Sequence, residues 1–122
     1  DKKRRQDIYD TLEAYGTLSH HTYTINNESF EIHLLPVSAN AELIINSPTI
    51  WEVRNGSSSR LIHQHGLKNN KGKLIIAYPL TQPIKRYINE NEMVFINYKD
   101  HFHHMHIIRM DELILFLEDH RS

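Results

Sequence analysis

Residues 42–54 constrain the fold more than any other stretch of the chain. The run Glu42-Leu43-Ile44-Ile45 and the run Thr49-Ile50-Trp51-Glu52-Val53-Arg54 flank Asn46-Ser47-Pro48, a cluster of turn formers. Two strand-length segments around such a cluster predict a β-hairpin. Apolar residues occupy consecutive positions in both segments, so both faces of the hairpin need cover. That predicts a sheet with helices on each side, not a half-exposed meander.

Helical and extended patterns alternate along the rest of the chain. From Lys3 to Tyr15, the residues Ile8, Leu12 and Tyr15 recur at helical spacing and Gly16 follows as a stop, which predicts an amphipathic opening helix. Thr22-Tyr23-Thr24-Ile25 and Phe30-Glu31-Ile32-His33-Leu34, separated by Asn26-Asn27, read as a hairpin. After Asn55-Gly56, three serines supply N-caps for a helix from Ser58 to Lys68, which Asn69-Asn70-Lys71-Gly72 ends. Lys73 to Ala77 predicts a strand, Gln82 to Ile88 a short helix near Pro83, and Met93 to Asn97 another strand. Phe102 to Met110 is expected as a further strand and Asp111 to Asp119 as a helix, although the apolar run Leu113 to Leu117 also fits a strand. Such alternation implies parallel pairing through crossovers.

The 122 residues suit a single domain, and 39% hydrophobic against 24% charged residues gives it one core to bury. A formal charge of −1 argues against a globally basic nucleic-acid binder, so any surface for DNA or RNA must be local. The absence of cysteine removes disulfides, thiolate metal sites and cysteine nucleophiles, and fits a reducing compartment. No apolar run approaches the length of a membrane span. The opening Asp1-Lys2-Lys3-Arg4-Arg5 lacks an initiating methionine, and the expectation is a module of a longer protein, cytoplasmic or the soluble part of a membrane-attached one. Its basic cluster reads as a juxtamembrane segment, a nucleic-acid arm or the solvated first turn of a helix.

If Asn46 to Pro48 closes a regular antiparallel pair, Glu42 faces Glu52, and Arg54 falls on the same sheet face two residues on. Two carboxylates side by side need a cation between or beside them, which is either a metal ion or Arg54. This arrangement resembles the PD-(D/E)XK nuclease superfamily over Glu42 to Ala77. In that family a hairpin carries an Asp on one strand and Glu-x-Lys on the next, the acids binding Mg²⁺ and the lysine orienting or activating water. Here the second strand is Ile50-Trp51-Glu52-Val53-Arg54, Gln64 lies on the predicted helix, and Lys73-Leu74-Ile75-Ile76-Ala77 matches the family's following strand. The resemblance implies an α/β fold with a mixed central sheet flanked by helices, restriction-endonuclease-like. It also implies Glu42 and Glu52 as ligands of Mg²⁺ or Mn²⁺, Arg54 at the scissile phosphate, Gln64 orienting substrate or water, and Glu13 as an added acid. Glu42 stands where the family has Asp and Arg54 where it has Lys. A longer acid alters metal geometry, and an arginine cannot accept a proton. These departures point to an eroded centre that binds nucleic acid or docks a partner, with an active metal-dependent nuclease as the alternative. Arg60, Lys68, Lys71 and Lys73 surround the predicted helix and the next strand, and would form the local basic patch for DNA or RNA.

Ten histidines invite a metal reading, with His101, His103, His104 and His106 the densest group. On a strand His104 and His106 share one face and His101 and His103 the other, so at most two meet one ion, His104 and His106 being the alternative pair. His63 and His65 diverge if they lie on a helix. A histidine-based metal sensor, or a protein-interaction module using an edge strand around Phe102 to Met110, are therefore further readings, the partner being another protein or the rest of a longer chain. No Gly-rich phosphate loop and no Gly-x-Ser-x-Gly elbow occurs, which removes nucleotide binding by those loops and argues against serine-hydrolase chemistry.

Overall fold

Tight turns with left-handed backbone organise the chain. The computed structural model describes residues 2–121. Asn26 and Asn27, at φ 48° and 69°, join β2 (Thr22–Ile25) to β3 (Glu28–Pro36). Gly56, at φ 64°, opens the turn from β5 (Ile50–Asn55) into β6 (Ser58–His63). His103 and His104, at φ 53° and 63°, reverse the chain between Phe102 and Met105, whose backbones exchange hydrogen bonds of 3.1 and 2.8 Å at the start of β10 (Met105–Arg109). Positive φ at both central residues matches the right-handed twist of the strands they connect.

The strands form two five-stranded mixed sheets. The first runs in the order β1 (Thr17–Ser19), β2, β3, β7 (Lys73–Tyr78), β10, with β7 parallel to both neighbours. The second runs β6, β5, β4 (Glu42–Ile45), β8 (Ile84–Asn89), β9 (Glu92–Ile96), with β4 parallel to β8 and the other pairs antiparallel. The chain leaves the first sheet after β3, builds β4 to β6, returns for β7, builds β8 and β9, and returns for β10. Parallel pairing is thus reached as expected, but the crossovers from β3 to β7 and from β7 to β10 are made of strands from the second sheet and not of an α-helix.

Side-chain alternation then sorts the layers. Leu43, Ile45, Trp51 and Val53 of the second sheet meet Ile75, Ala77 and Ile107 of the first in a core between the sheets. Leu74, Ile76, Tyr78 and Ile108 point the other way, against α1 (Lys2–Tyr15) and α2 (Leu113–Arg121), where Ile8, Leu12, Phe116 and Leu117 are buried. Gly16 follows α1 where the chain passes so close to β2 that a Cβ would collide with the Thr24 carbonyl and the Tyr23 ring. The buried Tyr23 hydroxyl donates 2.7 Å to the Leu12 carbonyl and ties α1 to β2. The start of α2 is fixed by Glu112, which is 7% exposed and accepts the backbone N–H groups of Arg109 and Tyr98 at 3.0 and 3.1 Å.

The molecule is of mixed α/β class, with the opening helix, the first hairpin and the closing helix where the sequence places them. Four expectations need correction. Residues 58–63 are a strand followed by a short 3₁₀ turn, His65–Leu67, and not a helix, because Asn55-Gly56 closes a hairpin and the serines continue it. Residues 84–89 are a strand between β4 and β9, where Ile84 and Tyr87 suit extended pairing with Ile96 and Met93. The last strand begins only at Met105, since His103 and His104 are spent in the turn. Finally, there are two sheets in place of one central sheet, with two cores in place of the single core expected, and among the described residues both helices lie on the first. The buried face of the β4–β5 hairpin is covered by a sheet, and its other face by no helix.

Candidate functional site

The outer face of the second sheet brings together most of the charged residues singled out in the hairpin. Its register is Glu42 opposite Arg54 and Ile44 opposite Glu52, two residues away from the expected pairing of Glu42 with Glu52. The cause lies in the turn. Ser47 Oγ accepts the N–H groups of Thr49 and Ile50 at 3.4 and 3.0 Å, and the N–H groups of Asn46 and Ser47 both reach the Ile50 carbonyl at 3.1 Å. The loop is therefore longer than the three residues Asn46 to Pro48. A shift of two keeps both glutamates on one face and moves them from directly opposite to diagonal, roughly 7–8 Å between Cα atoms.

Each acid has its own cation. Glu42 accepts Lys85 Nζ at 2.8 Å from β8, and this hydrogen bond, with the charge behind it, holds its carboxyl below the usual range. Glu52 accepts Ser59 Oγ at 2.7 Å and Arg54 Nε at 2.9 Å, and the serine first, then the arginine, lowers its carboxyl. Arg54 therefore sits beside Glu52 on its own strand and does not bridge the two acids. Apolar side chains flank these pairs at the two edges of the face, on β6 and β9. Leu61 lies across from Glu52, Phe95 across from Lys85 and Met93 across from Tyr87, and they are 55%, 67% and 40% exposed.

The remaining candidates are dispersed. Gln64 follows β6, where its N–H donates 2.6 Å to the Thr49 carbonyl, so it stands at the hairpin's turn end and not on a helix. Glu13 is exposed on α1, separated from Glu42 and Glu52 by the first sheet and the core between the sheets. The basic residues do not assemble into one patch. Lys73 is fully buried, its ammonium donating to the carbonyls of Lys71 and Asn69 at 2.6 and 3.1 Å, and desolvation lowers its pKa. Lys68 and Lys71 lie in the loop entering β7, whereas Arg60 shares a cleft with Tyr78 at the other end of that strand. A six-residue strand separates those ends by roughly 16 Å.

The histidines also part company. His104 is exposed on its turn, while His106 on β10 faces inward, in a cage formed by His101 at 4.7 Å, His120 at 5.8 Å, Phe116 at 5.0 Å and Phe30 at 6.0 Å between ring centroids. Burial first, then the neighbouring imidazoles, pushes His106 down to about 4. His63 and His65, expected to diverge, have stacked rings 5.8 Å apart because they do not lie on a common helix.

No protein-family model, curated protein or solved structure matches this chain.

The likeness to the PD-(D/E)XK nucleases accordingly rests on the hairpin's own residues. For Mg²⁺ or Mn²⁺ the fit is poor. An octahedral ion would have to displace Lys85 from Glu42 and Arg54 and Ser59 from Glu52 before both acids turned to it. Among the described residues no group of three His, Asp or Glu side chains is placed to hold a metal ion. Lys85 and Ser59 are contributors that local pattern does not reveal, because it places both on helices. The Asn55-Gly56 pair, a hairpin signal, would have placed Ser59 beside Arg54.

Proposed function

We propose that this domain is a non-catalytic docking module for a protein partner, acting through the outer face of the second sheet. One observation carries the reading: that face is covered by neither helix and exposes Leu61, Met93 and Phe95 around charges that cancel in two ion pairs. Apolar side chains exposed at both edges of the face, on β6 and β9, with a self-neutralised charge set between them, suit a polypeptide better than a phosphate backbone, which would need unpaired cations. Among the described residues no helix is long and apolar enough to cross a membrane.

The restriction-endonuclease-like reading is second, supported by two acids on one face of neighbouring strands with a basic residue two positions on. One comparison separates the two. Photo-crosslinkers placed at Phe95 and at Lys68 in cells are expected to give polypeptide adducts at Phe95 alone, abolished by Leu61→Asp, while the purified chain leaves plasmid DNA and structured RNA intact in Mn²⁺. Cleavage by the wild type that is lost in Glu52→Ala would overturn the docking reading and restore the nuclease. Nucleic-acid adducts that weaken steeply with salt would assign the face to DNA or RNA.

A further inference from the structure

The edge of the second sheet is left open at β6, beside a cleft with a single engaged-by-nothing cation at its lip. β6 pairs with β5 along all six of its residues, Ser58 to His63, without a bulge, and among the described residues no strand lies on its other side. It contains no proline and no lysine. The other outer strands are shorter: β1 has three residues, and β9 and β10 have five each. A long regular edge presents unpaired backbone N–H and C=O groups to any extended chain of matching pattern.

The side chains of β6 alternate about this edge. Arg60 lies opposite Val53 and Ile62 opposite Trp51, so both point to the side on which the two sheets pack, and Ile62 is packed there. Just beyond, a cleft of about 730 Å³ is walled by Pro36, Val37, Val53, Tyr78 and Pro79, with Arg60 at its rim. The core between the sheets is unfinished at this place. An added strand would continue it, sending every second side chain into the cleft.

Arg60 decides which strand fits. It is exposed, and no hydrogen bond or ion pair engages it among the described residues. By contrast, Arg54 and Lys85 on the same sheet are both paired. A purely apolar strand laid over Arg60 would bury an unpaired charge, which is strongly unfavourable. A strand that brings a carboxylate to that position removes the penalty and forms a charge-assisted hydrogen bond. The same residue that blocks indiscriminate edge pairing therefore selects an acidic partner.

We infer that β6 is a strand-addition site for an extended peptide carrying an Asp or Glu that meets Arg60 and an apolar residue two positions away that enters the cleft. This rests on the docking reading and specifies how the partner is held.

The test is selection of random seven-residue peptides displayed on phage against the whole chain and against Arg60→Glu, followed by fluorescence anisotropy on the enriched sequences. The expected result is an acid and an apolar residue at a spacing of two, binding weakened about tenfold or more by Arg60→Glu, and a switch to Lys or Arg at the acidic position when the variant itself is used for selection. Circular dichroism of the variant checks that this exposed substitution leaves the fold intact. Strand addition is overturned if no sequence is enriched, if enriched peptides bind Arg60→Glu equally well, or if a single-stranded RNA displaces them in a salt-dependent manner. Overturning with the Phe95 crosslinks retained removes strand addition alone, whereas loss of both removes the docking reading as well.

Discussion

His106 carries the sharpest consequence at the scale of single residues. Its Nδ1 is buried without a hydrogen-bond partner, and its ring is enclosed by two phenylalanines and two further histidines. The folded chain therefore favours the neutral imidazole, down to about 4 from an ordinary 6.5. A group whose folded pKa is depressed contributes stability above its unfolded pKa and loses that contribution as pH falls toward the folded value. Urea unfolding is accordingly expected to show a loss of about 2–3 kcal/mol between pH 6.5 and 4 that is absent in His106→Leu. An equal decline in the variant would show that other groups govern acid stability. Local pattern does not separate His106 from His103 and His104; the difference arises because those two form the turn while His106 lies on β10 against Phe116 of α2. The glutamates were legible as a same-face pair. Their partners were not, since Lys85 comes from a strand forty-three positions along the chain.

At the scale of elements, the chain's turns are more informative than its runs. Asn26-Asn27 supplies the residue type that tolerates positive φ best after glycine, and the hairpin it closes was readable. His103 and His104 adopt the same backbone with a less suitable side chain, so local pattern does not mark their turn. Replacing them with the preferred pair, His103→Asn together with His104→Gly, is expected to stabilise the protein by about 1 kcal/mol, seen as a thermal midpoint a few degrees higher. No rise would mean that the imidazoles make compensating contacts in the native state. β6 and β8 are illegible in the sequence for a related reason. Serines beside Asn55-Gly56 serve equally as helix caps and as strand residues, and a short segment after Pro83 fits either period, so pairing partners made the choice.

For the whole molecule, β7 is the centre. All six of its residues are buried, and it alternates between the two cores, with Ile75 and Ala77 between the sheets and Leu74, Ile76 and Tyr78 under the helices. Hydrogen exchange under native conditions is expected to be slowest in β7 and in the flanking residues of β3, and fastest at the edges β6 and β9. Slow exchange in β6 without any added peptide would show that its edge is already covered. The sequence by itself determined an α/β domain, its two helices, most of its strands and the face that Glu42, Glu52 and Arg54 share, because side-chain period and turn chemistry are local properties. Only the tertiary structure decided that the crossovers are strands, that both helices stack on one sheet, which cation each glutamate takes, and that β6 ends its sheet unpaired. Those depend on which segments meet across tens of residues, where several partners satisfy the same local pattern and burial of the shared core selects one.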